Sequence, residues 1–232
     1  MVRRLWQTPP ANSADGYGKN WLPYENYKSS RIAEEYDRKR FSSLAGRMFN
    51  ALELMCLRRA FRDVHHDALV CDVPIGTGRL TEPLLGLGYR VHGVDISPAM
   101  LAVAQRKLGR FSDGYSSHVG DGRALGKMGP KYDAALCARM LFHVPLDEQI
   151  SFLSAVAQAT RDTVVITHSL NSWYQRRRRW LKRLLRNQKP VVYPVTNKEL
   201  RALLQACGLR EVRRHRPAPL LSEAVWIVAQ RA

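Results

Sequence analysis

V-C-D-V-P-I-G-T-G-R-L, residues 70–80, lays out a short apolar run, a turn punctuated by Gly76 and Gly78, and the start of an amphipathic stretch. A strand, a glycine turn and a helix N-terminus in that order let ligand atoms come close to the backbone. Seventeen residues beyond Gly78, at the end of the next apolar run, stands Asp95 in V-H-G-V-D-I-S-P. Doubly wound sheets put a carboxylate at that place to bind ribose hydroxyls. The dinucleotide fingerprint G-x-G-x-x-G wants a third glycine at position 81, where Thr81 stands. Asp72, at the entry of the turn, suits a ligand with an ammonium group better than a doubly anionic pyrophosphate.

Outward from this turn, short β-rich runs alternate with longer amphipathic ones, the pattern of βαβ units. Strands are predicted over Ala68–Val73, Arg90–Asp95, Ser117–Gly120, Tyr132–Ala138 and Thr163–His168. Helices are predicted over Pro98–Leu108, where Ser97 can cap, and over Leu146–Ala159. A further helix begins at Thr196, whose spacing to Glu199 is that of a capping box, and stops at Gly208. The runs Leu209–Arg216 and Ala224–Gln230 are too close for a crossover helix and must pair antiparallel. Toward the N-terminus, the first thirty or so residues read as an irregular arm, and Ser30 to Phe61 as two helices that break near Ser42–Gly46.

The chain has 232 residues, 45% of them hydrophobic, enough for a packed core. Its formal net charge of +17 favours an anionic partner: nucleic acid, lipid headgroup or phosphorylated substrate. The longest stretch without a charged side chain, 163–175, is too short for a spanning helix, and no apolar segment follows the basic N-terminus as a secretory signal would need. A cytoplasmic protein is expected. Cys56, Cys71, Cys137 and Cys207 lie far apart, which suggests neither a zinc site nor a disulfide framework.

From about Tyr36 to its end the chain resembles the class I S-adenosylmethionine-dependent methyltransferases, close to the bacterial small-molecule branch. D-V-P-I-G-T-G resembles the family's first motif, with Pro74 in place of its first glycine. The resemblance implies that Asp72, Gly76, Thr77 and Gly78 seat the cofactor's amino-acid end. G-V-D-I-S resembles the second motif, which puts Asp95 on the ribose with Ile96 beside it. V-G-D-G-R-A-L resembles the third, which puts Asp121 and Gly122 beside the adenine. Y-D-A-A-L-C-A-R-M-L-F-H-V resembles the fourth strand and the segment after it, with Cys137 lining the cofactor and Met140 facing the acceptor. Tyr36 and Arg47 fall in a segment like the one that covers the cofactor's amino-acid end. The implied fold is α/β: a Rossmann-like, doubly wound, mostly parallel sheet ending in an antiparallel hairpin, with helices on both faces. Residues 1–62 would be an arm and helical cap, and 63–232 the S-adenosylmethionine-binding domain with a basic lid insert at 170–195.

The implied reaction is methyl transfer from S-adenosylmethionine to an oxygen or nitrogen of a small or lipid-like acceptor, by a monomer or homodimer. His143, after the fourth strand, and His168, ending the fifth, are candidates to take a proton at neutral pH; packing is the alternative for both. Tyr174 and Tyr193 are candidate pocket-lining residues. Eight of the nineteen residues 171–189 are Lys or Arg and none is acidic, and Trp173, Trp180, Leu181, Leu184 and Leu185 fall at helical spacing. Arg177 represents this run as a contact to an anionic acceptor. The same run would suit an anionic membrane surface at the inner membrane or, less well, RNA. An RNA methyltransferase and a non-catalytic cofactor-binding module are the alternatives.

Overall fold

The computed structural model describes residues 42–129, 131–171, 193–218 and 222–232. Its strands are β1 (Leu69–Asp72), β2 (Arg90–Asp95), β3 (Tyr115–Val119), β4 (Tyr132–Cys137), β5 (Thr160–Ser169), β6 (Leu209–His215) and β7 (Ala224–Arg231). Its α-helices are α1 (Leu44–Ala60), α2 (Thr81–Gly86), α3 (Pro98–Leu108), α4 (Leu146–Ala159) and α5 (Asn197–Ala206). The strands form one sheet in the order β3-β2-β1-β4-β5-β7-β6. The first five run parallel, and β7 pairs antiparallel with both β5 and β6. This is the mixed Rossmann-like sheet expected, with β7 threaded between β5 and β6.

Local chemistry explains the element ends. Ser97 Oγ accepts the Met100 N–H and Pro98 opens α3, which spans the predicted residues. Thr196 and Glu199 form both halves of a capping box at α5, and Gly208 takes the left-handed φ of +67° that turns the chain into β6. Ser43 caps α1, so the second of the two predicted N-terminal helices starts at the expected break; the first lies outside the described residues. Strand β5 begins at Thr160, three residues before its predicted start, where Thr160 opposes Tyr132 of β4. Strand β3 starts at Tyr115, where the phenol ring is buried, and stops at Val119.

Side chains alternate across the sheet with period two, except at the irregularity between Tyr132 and Ala134 of β4. Tyr132, Ala135 and Cys137 of β4, with Val164 and Ile166 of β5, join a core with Phe152, Leu153, Leu200 and Leu203 from α4 and α5. Ala134, Leu136 and Val165 face the other way, toward Leu57, Phe61, Leu84, Leu101 and Leu108 from α1, α2 and α3 and the segments beside them. Trp226 of β7 is fully buried in this second layer; truncating so large a side chain costs about 3–5 kcal/mol. Strand order reverses at β1, whose neighbours are β2 and β4. Open α/β sheets bind ligands at that switch point, outside the carboxyl ends of the strands.

A candidate site at the carboxyl rim of the sheet

The turn after β1 and the carboxylate ending β2 form one unit. Gly76 donates its N–H to Asp95 Oδ2 at 2.8 Å, and Ser97 donates to Asp95 Oδ1 at 2.9 Å. The turn requires glycine: φ is +56° at Gly76 and +73° at Gly78. A Cβ on Gly78 would lie 2.6 Å from Leu108 Cδ1 of α3. The Val73–Pro74 peptide, where Pro74 replaces the family's first glycine, is cis.

Asp72 is 2% exposed, and Thr81 donates its hydroxyl to Asp72 Oδ2 at 2.6 Å. Burial pushes its carboxyl up to about 7; the Thr81 hydroxyl and Arg79 oppose that rise, and the nearby Asp95 adds to it. Asp95 is likewise pushed up by burial to about 6, against the pull of N–H groups from Ser97, Gly76 and Ile96. Two buried carboxylates so placed favour a cationic ligand. A carboxylate offers about four lone-pair sites, so three N–H donors leave Asp95 capacity for a hydroxyl. A cofactor carrying a sulfonium, an ammonium and a ribose fits these donors and acceptors.

The other expected cofactor residues are placed as follows. Thr77 and Gly122 are buried, and Ile96 is half-buried. Asp121 caps the 3-10 turn Gly122–Met128, and its Oδ2 accepts from Arg123 Nε at 2.9 Å and Nη2 at 2.6 Å. Cys137 and Met140 belong to the core beside α4, and burial raises the Cys137 thiol well above its ordinary value. Arg47 is exposed on the first turn of α1. The same helix reaches the rim through Phe49, Asn50 and Glu53, which contact Arg79 and Arg139. Tyr36, Tyr174, Arg177 and most of the insert lie outside the described residues.

On the acceptor side, His143 ends the 3-10 turn Leu141–His143, and its ring lies 4.4 Å from that of Phe142. Tyr193, 39% exposed, donates its N–H to the Phe142 carbonyl, which puts it beside His143. His168 is 1% exposed with both ring nitrogens engaged. The Ser169 N–H can only donate, so Nδ1 accepts it and Nε2 carries the proton given to Gln149 Oε1 at 2.9 Å. Burial lowers this imidazole to about 4, so it stays neutral at physiological pH. Gln149 in turn donates to the Val144 carbonyl at 2.9 Å, so His168 braces the loop that carries His143.

Sequence reasoning missed the ionic cluster of Glu53, Arg79 and Arg139; its members are far apart in sequence, and no local pattern marks them. Among the described residues no group of three or more His, Cys, Asp or Glu could hold a metal ion, and no helix is long and apolar enough to cross a membrane.

Residues 70–163 match the family model described as a methyltransferase domain. The chain is 30% identical over 204 residues to the ubiquinone biosynthesis O-methyltransferase of Paraburkholderia phytofirmans, covering 82% of this chain and 81% of that protein. It is 31% identical over 99 residues to the magnesium-protoporphyrin O-methyltransferase of Synechocystis, a match spanning 43% of each. The match to the chloroplastic magnesium protoporphyrin IX methyltransferase of Arabidopsis thaliana spans 34% of that protein. Among solved structures, the Synechocystis magnesium protoporphyrin IX methyltransferase with bound SAH aligns at a TM-score of 0.71 and 18% identity, covering 90% of this chain and 97% of that one.

Proposed function

The chain belongs to the class I S-adenosylmethionine-dependent methyltransferases, and from that premise we propose that it transfers the methyl group of S-adenosylmethionine to a small-molecule or lipid-like acceptor. Oxygen is the favoured atom, since the relatives with named reactions are O-methyltransferases. The observation that carries the reading is the Gly76 N–H donated to Asp95, which joins the glycine turn and the β2 carboxylate into one cradle.

The cofactor supplies an electrophilic methyl group on a cationic sulfur. The residues do the rest. Asp72, Gly76, Thr77 and Gly78 hold the amino-acid end, Asp95 and Ile96 the ribose, Asp121 and Gly122 the adenine edge. Asp72 and Asp95 favour the cationic form of the ligand over its neutral product. His143 accepts the proton of an acceptor hydroxyl, while His168, already fixed as the neutral Nε2–H form, positions the His143 loop through Gln149 and Val144. Residues 170–195 act as a lid: Asn171 donates its N–H to the Val195 carbonyl and Tyr193 to that of Phe142, so the insert leaves and returns at the acceptor rim. Its basic side chains, Arg177 among them, favour an acidic acceptor or an anionic surface.

Calorimetric titration of S-adenosylhomocysteine into the wild type and Asp95→Ala tests the reading. Micromolar binding that is lost in the variant supports it. Absence of binding to the wild type at high-micromolar concentration overturns it.

A further inference from the structure

Helix α1 buries one side and presents the other to solvent. Glu53, Cys56, Leu57 and Ala60 are its buried residues. On the opposite side Leu44, Met48 and Met55 follow one another at spacings of four and seven residues, which is a single stripe of an α-helix. They are 67%, 60% and 38% exposed, and Ala51 between them is exposed as well. Exposed apolar side chains scattered singly are ordinary, whereas three in line over about 16 Å of one helix form a patch.

The same face is basic. Arg47 lies beside the start of the stripe, and Arg58, Arg59 and Arg62 follow Met55; all four are exposed. The only acid between residues 44 and 62 is Glu53, on the buried side. The positive charge continues onto β6, where His215 is held below its ordinary value by burial and then by Arg213, Arg59 and Arg62. Asp63, just past the helix, is shared by Arg62 and Arg213.

We infer that the outward face of α1 docks on an anionic lipid surface, with Leu44, Met48 and Met55 entering the headgroup region and the arginines meeting lipid phosphates. Arginine stems lie along apolar surface while their heads reach phosphate, so both kinds of side chain on one face suit an interface. Nucleic acid would engage the arginines and leave the apolar stripe in water. A second copy of the chain brings the same basic face and the same net charge of +17, which opposes a two-fold contact here. Glu53, on the inner side of α1, accepts from Arg79 directly after the glycine turn. A docked helix, about 10–12 Å across, therefore holds the cofactor rim close to the lipid. This face is separate from the basic insert, and the inference does not rest on the methyl-transfer reading.

The test sediments the whole chain with vesicles of phosphatidylcholine alone and of equal parts phosphatidylcholine and phosphatidylglycerol. The wild type is expected to bind the anionic vesicles at least about tenfold more tightly than the neutral ones. Met48→Gln combined with Met55→Gln weakens that binding about tenfold. Because both positions are exposed and Met and Gln have similar helix propensity, the melting temperature without lipid stays the same. Arg58→Gln and Arg59→Gln weaken binding about fivefold each. Arg176→Gln with Arg179→Gln, in the insert, leaves the effect of the methionine changes intact. Unchanged vesicle binding in the methionine variant overturns the inference, since charge alone would then hold the chain to lipid. A methionine variant that melts several degrees lower without lipid also overturns it, because residues 1–41 would then cover the stripe. So does a wild-type dimer that the same variant dissociates, seen by size-exclusion chromatography, and so does binding of single-stranded RNA without binding of vesicles. If vesicles bind as expected and S-adenosylhomocysteine does not, the lipid face stands and the methyl-transfer reading falls.

Discussion

Replacing Asp72 by Asn is expected to stabilise the protein and weaken cofactor binding, with a pH dependence that identifies the cause. The folded carboxyl is pushed up to about 7 from an ordinary 3.8, chiefly by burial. The folded state therefore holds the proton more tightly than the unfolded chain. The stability this contributes is fully present below pH 3.8 and is lost as the pH rises through about 7. At about 1.4 kcal/mol per pH unit, the interval between 3.8 and about 7 corresponds to about 4 kcal/mol. Relaxation and water penetration make that an upper figure. Asn carries no charge, and its carbonyl oxygen can still accept the Thr81 hydroxyl.

Thermal unfolding of the wild type and variant from pH 4 to pH 8 is the assay. For a chain of this size about 2–4 °C accompany each kcal/mol, so the variant's advantage should reach at least several degrees at pH 8 and shrink toward nothing at pH 4. Calorimetry at pH 8 should show the opposite change in function: S-adenosylhomocysteine bound about tenfold more weakly. A variant that is less stable at every pH, with no divergence from the wild type above pH 6, would refute the argument that burial of this charge works against folding.

His168→Leu should lose stability at neutral pH through its hydrogen bonds to Gln149 and Ser169, yet lose less than the wild type on acidification. The folded imidazole sits near 4 and the unfolded one at 6.5, so the wild type forfeits stability as pH falls between them, and the two melting curves should converge. Gly78→Ala meets Leu108 and keeps a φ of +73°, so chemical denaturation should show a loss of about 1–3 kcal/mol. Glu53→Ala leaves two largely buried arginines without their shared carboxylate, and urea unfolding should show a loss of about 3–5 kcal/mol.

The order of the β-rich runs and the caps of two helices were legible because their determinants are local. Ser97 and Pro98 start α3, Thr196 and Glu199 start α5, and both pairs act within one helical turn. The pairing of Asp95 with the glycine turn was legible at one remove, since the spacing of the two motifs follows from a β-α-β crossover. The roles of the rim side chains were not. Glu53 and Arg139 are 86 residues apart, and nothing in either neighbourhood signals the other. His168 was a candidate base from its place at the end of β5, but only the tertiary structure sets Gln149 against its Nε2 and the Ser169 N–H against its Nδ1. Asp121 reads as a turn residue or an adenine ligand, and the Arg123 guanidinium on its carboxylate has no signal in the sequence.

The charges around the rim lead to a test of the whole site. Asp72 and Asp95 flank the glycine turn, whereas residues 171–189, part of the insert that leaves and returns at the acceptor rim, hold eight Lys or Arg and no acid. A cationic donor on one side and an anionic acceptor on the other would therefore each lower the electrostatic cost of binding the other. Methyl transfer requires reacting atoms within about 3–3.5 Å, so an acceptor whose charge lies next to its nucleophilic atom would bring that charge within a few ångströms of the sulfonium. Two opposite unit charges about 5 Å apart attract by about 3 kcal/mol at an effective dielectric near 20. 1-Naphthoate, a small carboxylate probe, should accordingly tighten S-adenosylmethionine binding by about tenfold or more while leaving S-adenosylhomocysteine, which lacks the sulfonium charge, nearly unaffected. The Arg177→Gln variant should weaken that coupling while retaining its affinity for S-adenosylmethionine alone. Equal effects of naphthoate on the two cofactor forms would mean that the basic insert and the carboxylates do not act across one site.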